Sequence, residues 1–588
     1  MLALYYTAVG WLFATASATA QVPFHTTTNG ERDNLVNAPA DSQFYQFKWP
    51  IRKVAIIGAG VSGLLAYREL VDAGFSHIRI FERDAVPGGN WHYTDDVPDK
   101  APIPNEDPRI ADYEPTLPPP GAVLPFERWY DDRNDSMGMS TAERWRRHRA
   151  PQPLYKSLTS NVPAPLMHFS GHDWPPGVPW HLPYRLLQGY LRGVFSYHGI
   201  NSNDDSPVTS YSTRVELVEK RHDERGWTLT LKKFVRLGAA SCKEVWWTED
   251  FDAVIVATGT FNAPNIPNIP GLAEWARRSP ESILHSREYR DPKVFANQSV
   301  LVVGAGTSAT AISADLQSSV KTNYISVRPS KNSTTPPVFL NLLHHDVNIV
   351  GGIARFHPDN ASIELADGTF LTEIDRIIFA TGYQFTFPFL PQYHNSSIGL
   401  DEEGPMDKPQ PLVTDGSHYR SLYLEFLYIE EPTLAFMNMN LGTVTWTLGE
   451  YFALAIAKVW SGKAMLPSQA EMWRVYREGV KARGGYGKGI LFLGMGGNTG
   501  YVNYFTGWLN MAAYEYGGKT IDGLTKDWKE ILGQFALAWL HTNPNPPHIP
   551  GSGKNHSDSE GKLQLLGAGA ERKSSLGEDV LQYLISGY

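Results

Sequence analysis

Two glycine-rich turns in this 588-residue chain have the composition and spacing of dinucleotide-binding sites. In the first, Gly58, Gly60 and Gly63 directly follow the apolar run Val54–Ile57 and precede a helix-like segment. The first glycine of such a turn permits a tight bend, the second lets backbone amides approach a pyrophosphate, and the third lets the helix pack closely on the strand. The phosphate then meets the helix N-terminus, where unpaired N–H groups favour an anion.

The second turn lies far downstream and follows the apolar run Val300–Val303. It contains Gly304 and Gly306, but Ala309 replaces the third glycine. Because a methyl group then stands between helix and strand, we expect the two elements to be slightly farther apart than in the first turn.

The residues that end the next predicted strand differ between the two turns. Glu82 stands nineteen residues after Gly63, where a carboxylate can accept hydrogen bonds from both hydroxyls of an adenosine ribose. Arg328 ends the corresponding strand after the second turn, where a guanidinium can bind a 2′-phosphate that a carboxylate would repel. The chain is therefore predicted to bind FAD at the first turn and NADPH at the second, with nicotinamide reducing flavin.

These turns require parallel sheets with helices around them, so the predicted fold class is α/β, with two Rossmann-like domains. The sequence Ala-Thr-Gly occurs at 257–259 and again at 380–382, each time after a buried strand, and these are the expected crossings between the domains. The NADPH domain is thus inserted into the FAD domain. The predicted segments are 1–20, a signal peptide or anchor; 21–50, an N-terminal extension; 51–262, the first part of the FAD domain; 263–377, the NADP domain; 378–550, the second part of the FAD domain; and 551–588, a flexible tail.

Within the FAD domain, residues 94–153 are rich in Pro, Asp and Arg and lack periodicity. We expect an irregular surface segment, called here the Pro-rich excursion, with one short helix near 140–149; a disordered linker is the alternative. A β-meander is predicted from Thr213, and an apolar segment at 447–461 is predicted to be a buried helix because it contains two charged residues.

Composition excludes several kinds of function. The net charge of −9 and the absence of a long basic run give no support for nucleic-acid binding. Cys242 is the only cysteine, which excludes an intrachain disulfide, a dithiol redox pair and a multi-cysteine metal site. No metal is predicted, and any redox chemistry must come from a bound cofactor.

The first twenty residues are apolar and end in Ala18-Thr19-Ala20, which predicts a cleaved signal peptide and entry into the secretory pathway. An uncleaved anchor is the alternative, and membrane contact is expected only in that case. N-glycosylation would then be possible at six sequons, at Asn134, Asn297, Asn332, Asn360, Asn395 and Asn555.

Longer motifs resemble a known family. The stretches GAGVSG, FERD, PGGNW, YKSLTSN and IIFATGY occur in the order and spacing of the flavin-containing monooxygenases, and the likeness covers most of residues 51–465. Fungal members are the most similar. The family motif FxGxxxHxxx[YF] is half present: His285 and Tyr289 match, whereas Ser279 and Glu281 replace the Phe and Gly.

The resemblance implies a reaction. NADPH reduces FAD, the reduced flavin forms a C4a-hydroperoxide with O2, and a soft nucleophile, the amine nitrogen or thioether sulfur of a small molecule, takes one oxygen atom. Fungal relatives often act in secondary metabolism. Asn161 matches the family asparagine beside the flavin and is the predicted catalytic residue; Ser160 and Trp91 are expected to line the flavin. The predicted cofactor-binding residues are Gly58, Ala59, Gly60, Val61, Ser62, Gly63, Glu82, Gly89, Asn90, Trp91, Ser160, Asn161, Thr258 and Gly259 for FAD, and Gly304, Gly306, Thr307, Ser308, Ala309 and Arg328 for NADPH.

Three other interpretations of these motifs differ in the residues they require. A Baeyer–Villiger monooxygenase shares both turns, but its fingerprint has Trp where this chain has Tyr289. A disulfide reductase needs a cysteine pair and is excluded. A non-catalytic scaffold that binds partners through the Pro-rich excursion leaves two dinucleotide sites without a use. His285 and Cys242 are expected to have structural roles.

Overall fold

The computed structural model describes residues 43–135, 138–328, 340, 343–344, 346–405 and 407–541. The predicted signal peptide or anchor, most of the N-terminal extension, the tail at 551–588 and the sequons at Asn332 and Asn555 lie outside these residues. The α-helices are α1 Val61–Asp72, α2 Pro108–Ala111, α3 Thr141–Arg149, α4 Tyr184–Tyr197, α5 Leu272–Arg278, α6 Thr307–Leu316, α7 Thr445–Trp460, α8 Gln469–Ala482, α9 Gly494–Tyr516 and α10 Lys526–His541.

The strands fall into five sheets. In chain order they are β1 Lys53–Ile57, β2 His77–Phe81, β3 Phe126–Asp131, β4 Thr209–Ser210, β5 Thr213–Lys220, β6 Trp227–Arg236, β7 Ser241–Phe251, β8 Ala253–Val256, β9 Ala263–Pro264, β10 Ile283–His285, β11 Ser299–Val303, β12 Thr322–Ser326, β13 Asn348–Val350, β14 Ile353–His357, β15 Ser362–Leu365, β16 Phe370–Leu371, β17 Arg376–Phe379, β18 Tyr383–Gln384, β19 Leu422–Tyr423, β20 Leu427–Tyr428 and β21 Leu434–Phe436.

The first dinucleotide turn extends from a seven-stranded sheet in the order β19-β20-β21-β8-β1-β2-β4. Strand β1 pairs in parallel with β2 on one side and with β8 on the other, and β8 pairs in parallel with β21. Both faces of β1 are covered: Val54 and Ile56 belong to the core that contains α7, whereas Ala55 and Ile57 face the core that contains Trp227. Burial on both faces explains why β1 is a continuous apolar run.

Helix α7 corresponds to the predicted buried helix at 447–461. It is buried along almost its whole length, and its charged side chains have partners: Glu450 accepts from Arg68 at 2.8 Å, and Lys458 donates to the Leu509 carbonyl at 2.9 Å. No helix in the described part of the chain has the length and apolar character needed to cross a membrane.

The second dinucleotide turn extends from a five-stranded parallel sheet in the order β10-β17-β11-β12-β13. Strand β17 belongs wholly to this sheet, so the predicted domain boundary at residue 377 cuts through a strand and must move beyond Phe379. The two segments that cross between the sheets pair with each other as the antiparallel strands β9 and β18. The insertion is therefore closed at its base by a small two-stranded link.

The predicted β-meander forms β5, β6 and β7, which pair antiparallel. The Pro-rich excursion is more ordered than expected. Its helix α3 falls at the predicted position, but β3 also pairs with β7 over Phe126–Asp131 as the edge strand of the meander. The interpretation of the excursion as irregular or as a disordered linker is wrong for this part, because a distant strand supplies the hydrogen bonds.

Candidate functional site

The first turn places unpaired amides at the end of β1. Gly58 has φ +108°, and a side chain there would bring a Cβ within 2.6 Å of the Ala257 carbonyl oxygen. Gly60 caps α1, which has no side-chain cap and no acidic residue in its first turn. The first N–H groups of α1, including those of Val61 and Ser62, therefore remain available to an anion.

A second layer of glycine backbone covers this turn. Gly89 begins a 3-10 helix that ends at Trp91, and a Cβ on Gly89 would lie only 3.0 Å from the Gly60 Cα. The Asn90 side chain extends toward the first Ala-Thr-Gly crossing. A Cβ placed on Gly259 would lie 3.7 Å from the Asn90 Nδ2. The predicted FAD residues of three separate segments thus lie close together, and Thr258 and Gly259 are exposed there. Such a close approach of backbone segments fits the binding of a pyrophosphate.

Glu82 lies at the end of β2, as predicted, and is 6% exposed. Its Oε2 accepts from the Ala59 N–H at 2.7 Å and its Oε1 from the Asp84 N–H at 2.8 Å. Burial raises the pKa of this carboxyl, and the two backbone donors oppose that shift. The carboxyl group is thereby fixed beside the turn, where its remaining lone pairs fit the ribose of a dinucleotide.

The segment from Tyr155 to Val162 bridges the two domains. Tyr155 shares a hydrophobic cluster with Ala305 and Ala309 of the second turn, whereas Val162 packs, like Trp91, against the core of the first sheet. One end of the bridge therefore packs with the alanines of the second turn, and the other end packs against the core of the first sheet.

Asn161, the predicted catalytic residue, is exposed on this bridge. Ser160, next to it, is buried, and its hydroxyl donates to the Val162 carbonyl at 2.7 Å and accepts from the Leu182 N–H at 2.9 Å. The structure thus gives the Ser160 side chain a role in fixing the loop conformation of Asn161. Its predicted contact with flavin stays a prediction.

The second turn repeats the backbone of the first. Gly304 has φ +129°, and a Cβ there would lie 2.5 Å from the Ala380 carbonyl oxygen. Gly306 caps α6, again without a side-chain cap or an acidic residue in the first turn. In the first turn of α6, Thr307 is partly buried and Ser308 is exposed, and Ala309 is fully buried.

Arg328 lies two residues past the end of β12 and is exposed. Its Cα and Cβ pass closely over Gly352, on which a Cβ would lie 3.6 Å from both atoms. A second cation stands nearby: burial and, after it, the positive charge of Arg328 lower the pKa of Lys488. The exposed guanidinium of Arg328 suits a 2′-phosphate at this end of the second sheet. The sequence motifs did not indicate Lys488, because it follows the inserted domain by more than a hundred residues.

His285 has the structural role predicted for it. The ring is fully buried, its Nδ1 accepts from the Arg287 N–H at 3.2 Å, and its Nε2 lies 3.0 Å from the Gly382 carbonyl oxygen. These partners require Nε2 to carry the proton. Burial, with the charge of Arg287, lowers the pKa of His285 to about 3, so the ring is neutral and holds the second crossing in place. Cys242 is also buried, within β7.

Comparisons with known proteins agree with this geometry. The flavin-binding monooxygenase-like family matches residues 136–333 and 340–483, and an NAD(P)-binding Rossmann-like domain matches residues 56–119. The chain is 48% identical over 502 residues to the flavin-containing monooxygenase iboF of Amanita muscaria, covering 82% of this chain and 92% of the relative. It is 31% identical over 507 residues to the flavin-containing monooxygenase ustF2 of Aspergillus flavus, covering 82% and 97%. Among solved structures, the S-allyl-L-cysteine S-oxygenase from Allium sativum matches with a TM-score of 0.57 at 24% identity, covering 83% of this chain and 92% of that one.

Proposed function

Because the chain belongs to the flavin-containing monooxygenase family and uses FAD and NADPH, we propose that it inserts one oxygen atom of O2 into a soft nucleophile. The proposed substrate is a small molecule that presents an amine nitrogen or a thioether sulfur. Family membership supports the oxygenation, and the bridge, which packs at Tyr155 with the second turn and at Val162 against the first sheet, is the structural observation that supports the proposed site.

The cofactor and the protein residues have different roles in the proposed reaction. Bound flavin, reduced by NADPH, supplies the oxygen-activating chemistry, so the protein must bind, orient and exclude water. His285, the histidine at the second crossing, is neutral and uses both ring nitrogens in structural contacts. It is therefore a support for the crossing and not a proton donor. Asn161 is one of the exposed polar residues on the bridge, and it is proposed to hydrogen-bond the reacting group because it matches the family asparagine.

Helix α10 supports the water-excluding role of the bridge. Leu532 and Phe535 of α10 form an apolar cluster with Leu166 and Val444, and Val162 packs against it. The helix therefore covers the side of the bridge one residue away from Asn161. An apolar wall there would shield a reactive site from bulk water.

The experiment that tests the proposal compares Asn161→Ala with Asn203→Ala, a control at an exposed asparagine in a turn after α4. With a thioether or tertiary amine substrate, Asn161→Ala should still consume NADPH but divert most of it to hydrogen peroxide, because the reacting group loses its hydrogen bond. The control should keep the wild-type ratio of oxygenated product to NADPH. Equal coupling in both variants would remove Asn161 from the catalytic role.

A product panel tests the reaction itself. We expect an N-oxide, hydroxylamine or sulfoxide from at least one amine or thioether, and no ester or lactone from ketones. Products from ketones alone would instead support the Baeyer–Villiger alternative.

We also propose that the enzyme enters the secretory pathway and acts in secondary metabolism. The sequon asparagines Asn134, Asn297, Asn360 and Asn395 are exposed, as glycosylation requires. Digestion of the protein, expressed in a fungal host, with an endoglycosidase should increase its mobility on a gel; unchanged mobility together with an intact Met1 would contradict this localisation.

A further inference from the structure

The side chain of Asn440 is buried without a partner beside the FAD turn. The residue is 6% exposed, and neither Oδ1 nor Nδ2 has a hydrogen-bond partner among the described residues. Buried carboxamides in proteins almost always have partners, because an unpaired buried polar group costs about 1–3 kcal/mol. Two unpaired atoms on one side chain therefore indicate a binding partner that the protein chain does not supply.

The position of Asn440 follows from the sheet. Strand β21 lies next to β8, which lies next to β1, so the segment that leaves β21 runs along the same carboxyl edge as the first dinucleotide turn. Asn438 in this segment donates from Nδ2 to the Ser62 hydroxyl in the first turn of α1 at 2.8 Å. Asn440 follows two residues later, within about 7 Å of chain. Ligands of parallel α/β sheets bind in the crevice at this edge.

The backbone beyond Asn440 is held on both sides. The Leu441 N–H donates to the Leu491 carbonyl at 2.7 Å, and the Leu441 carbonyl accepts from the Leu493 N–H at 3.0 Å. Gly442 then packs against the Phe492 ring, where a Cβ would lie 2.3 Å from Cε2. The backbone of this segment therefore cannot easily rotate to give the Asn440 carboxamide hydrogen-bond partners within the protein. The side chain is consequently preorganised for a ligand.

The chemistry of a carboxamide limits what that ligand can be. It presents a donor and an acceptor side by side, and the pyrimidine part of a flavin presents a carbonyl next to an N–H. We propose that Asn440 binds the pyrimidine edge of the FAD ring and thereby positions the flavin. The proposal depends on FAD binding by this family and not on the identity of the oxygenated substrate. The alternative occupant of the site is a buried water.

The test uses Asn440→Leu, which keeps the volume and removes both polar atoms. If the carboxamide is unpaired in the apoprotein, the apoprotein melting temperature should stay the same or rise, while the dissociation constant for FAD, measured by quenching of flavin fluorescence, should increase about tenfold. A structural asparagine would behave in the opposite way, with a lower melting temperature and unchanged FAD affinity.

Asn201→Leu is the matched control. Asn201 is also 6% exposed, but its Nδ2 donates to the Ser196 hydroxyl at 2.9 Å and its Oδ1 accepts from the Ser202 N–H at 2.8 Å. This variant should melt at a lower temperature and bind FAD as the wild type does.

A second variant protects the test against misfolding. Asn440→Asp has almost the same shape but places a carboxylate beside the pyrimidine, so the reduction potential of bound FAD should become more negative, because the charge opposes the anionic reduced flavin. An unchanged potential in Asn440→Asp, or an unchanged FAD affinity in Asn440→Leu, overturns the proposal. The buried-water alternative predicts both of these outcomes.

Discussion

The two dinucleotide turns have the same backbone but differ in how the chain covers them. At the first turn, Gly60 lies against Gly89, and the cleft is closed by a second layer of backbone. At the second turn, nothing in the described part of the chain lies within 4 Å of a Cβ placed on Gly306. Backbone packed over the first turn fits a dinucleotide that stays bound, as proposed for FAD.

The third position of each turn shows the same difference. A Cβ on Gly63 would lie 2.0 Å from the Gly58 carbonyl oxygen, so α1 packs directly on the turn. Ala309 has its methyl group at the equivalent position of α6 and is fully buried there. The second helix must stand farther from its turn, as its sequence predicts.

The largest expected effect comes from exchanging these third residues. Gly63→Ala forces a methyl group into a backbone carbonyl, and we expect the free energy of unfolding to fall by about 3 kcal/mol or more. Bound FAD should be lost as well. Ala309→Gly removes a methyl group from a helix and should cost only about 1 kcal/mol. Urea unfolding and the FAD content of each purified protein measure both effects; equal losses in the two variants would show that the turns are packed alike.

An intermediate effect is expected at Arg328. Arg328→Ala should remove the proposed charge-assisted contact to the 2′-phosphate; a contact of this kind contributes about 2 kcal/mol, so kcat/KM for NADPH should fall about thirtyfold. The kcat/KM for NADH should not change, because NADH lacks that phosphate. Steady-state rates with both cofactors measure the ratio. If the variant still prefers NADPH over NADH, Arg328 does not bind the 2′-phosphate.

The smallest effect concerns the crossing beside the second turn, where His285 holds the Gly382 carbonyl. Burial lowers the pKa of this histidine to about 3, whereas an unfolded histidine takes up a proton below its usual pKa of about 6.5. The unfolded state therefore binds more protons between these values, and the stability falls as the pH decreases through that window.

His285→Gln should remove this pH dependence while keeping a donor for the Gly382 carbonyl. Between pH 7 and pH 5.5 the wild type should lose about 1.3 kcal/mol more stability than the variant. Unfolding curves at the two pH values measure the difference. Identical pH dependence in both proteins would mean that His285 has the same pKa in the folded and unfolded states.

Most of the predictions made from the sequence rest on residues that are close together in the chain. Each turn and the strand before it are contiguous, and Glu82 and Arg328 follow at short distances, so their placement needed no knowledge of long-range contacts. Strand β3 was missed because its partner β7 lies more than a hundred residues away and because prolines come directly before it in the sequence. The boundary at 377 was misplaced because β17 continues to Phe379, directly before the Ala-Thr-Gly crossing.

No sequence motif indicated a role for residues in the C-terminal part of the FAD domain. Lys488 and Asn440 belong to no motif, and both lie in the part of the FAD domain that follows the inserted domain in the sequence. The paired asparagines in the segment after β21 were the available signal: polar residues directly after a buried strand, at the edge where ligands bind.

The central claim is that the first turn holds FAD and the second holds NADPH, each through the residue that ends its second strand. The most direct measurement is the FAD content and the ratio of NADPH to NADH activity in Glu82→Gln and in Arg328→Ala. We predict that Glu82→Gln loses FAD on purification but, when FAD is added back in excess, keeps the wild-type cofactor ratio, whereas Arg328→Ala keeps its FAD and loses the preference for NADPH. Loss of FAD in Arg328→Ala, or a changed ratio in Glu82→Gln, would contradict the assignment of the two sites.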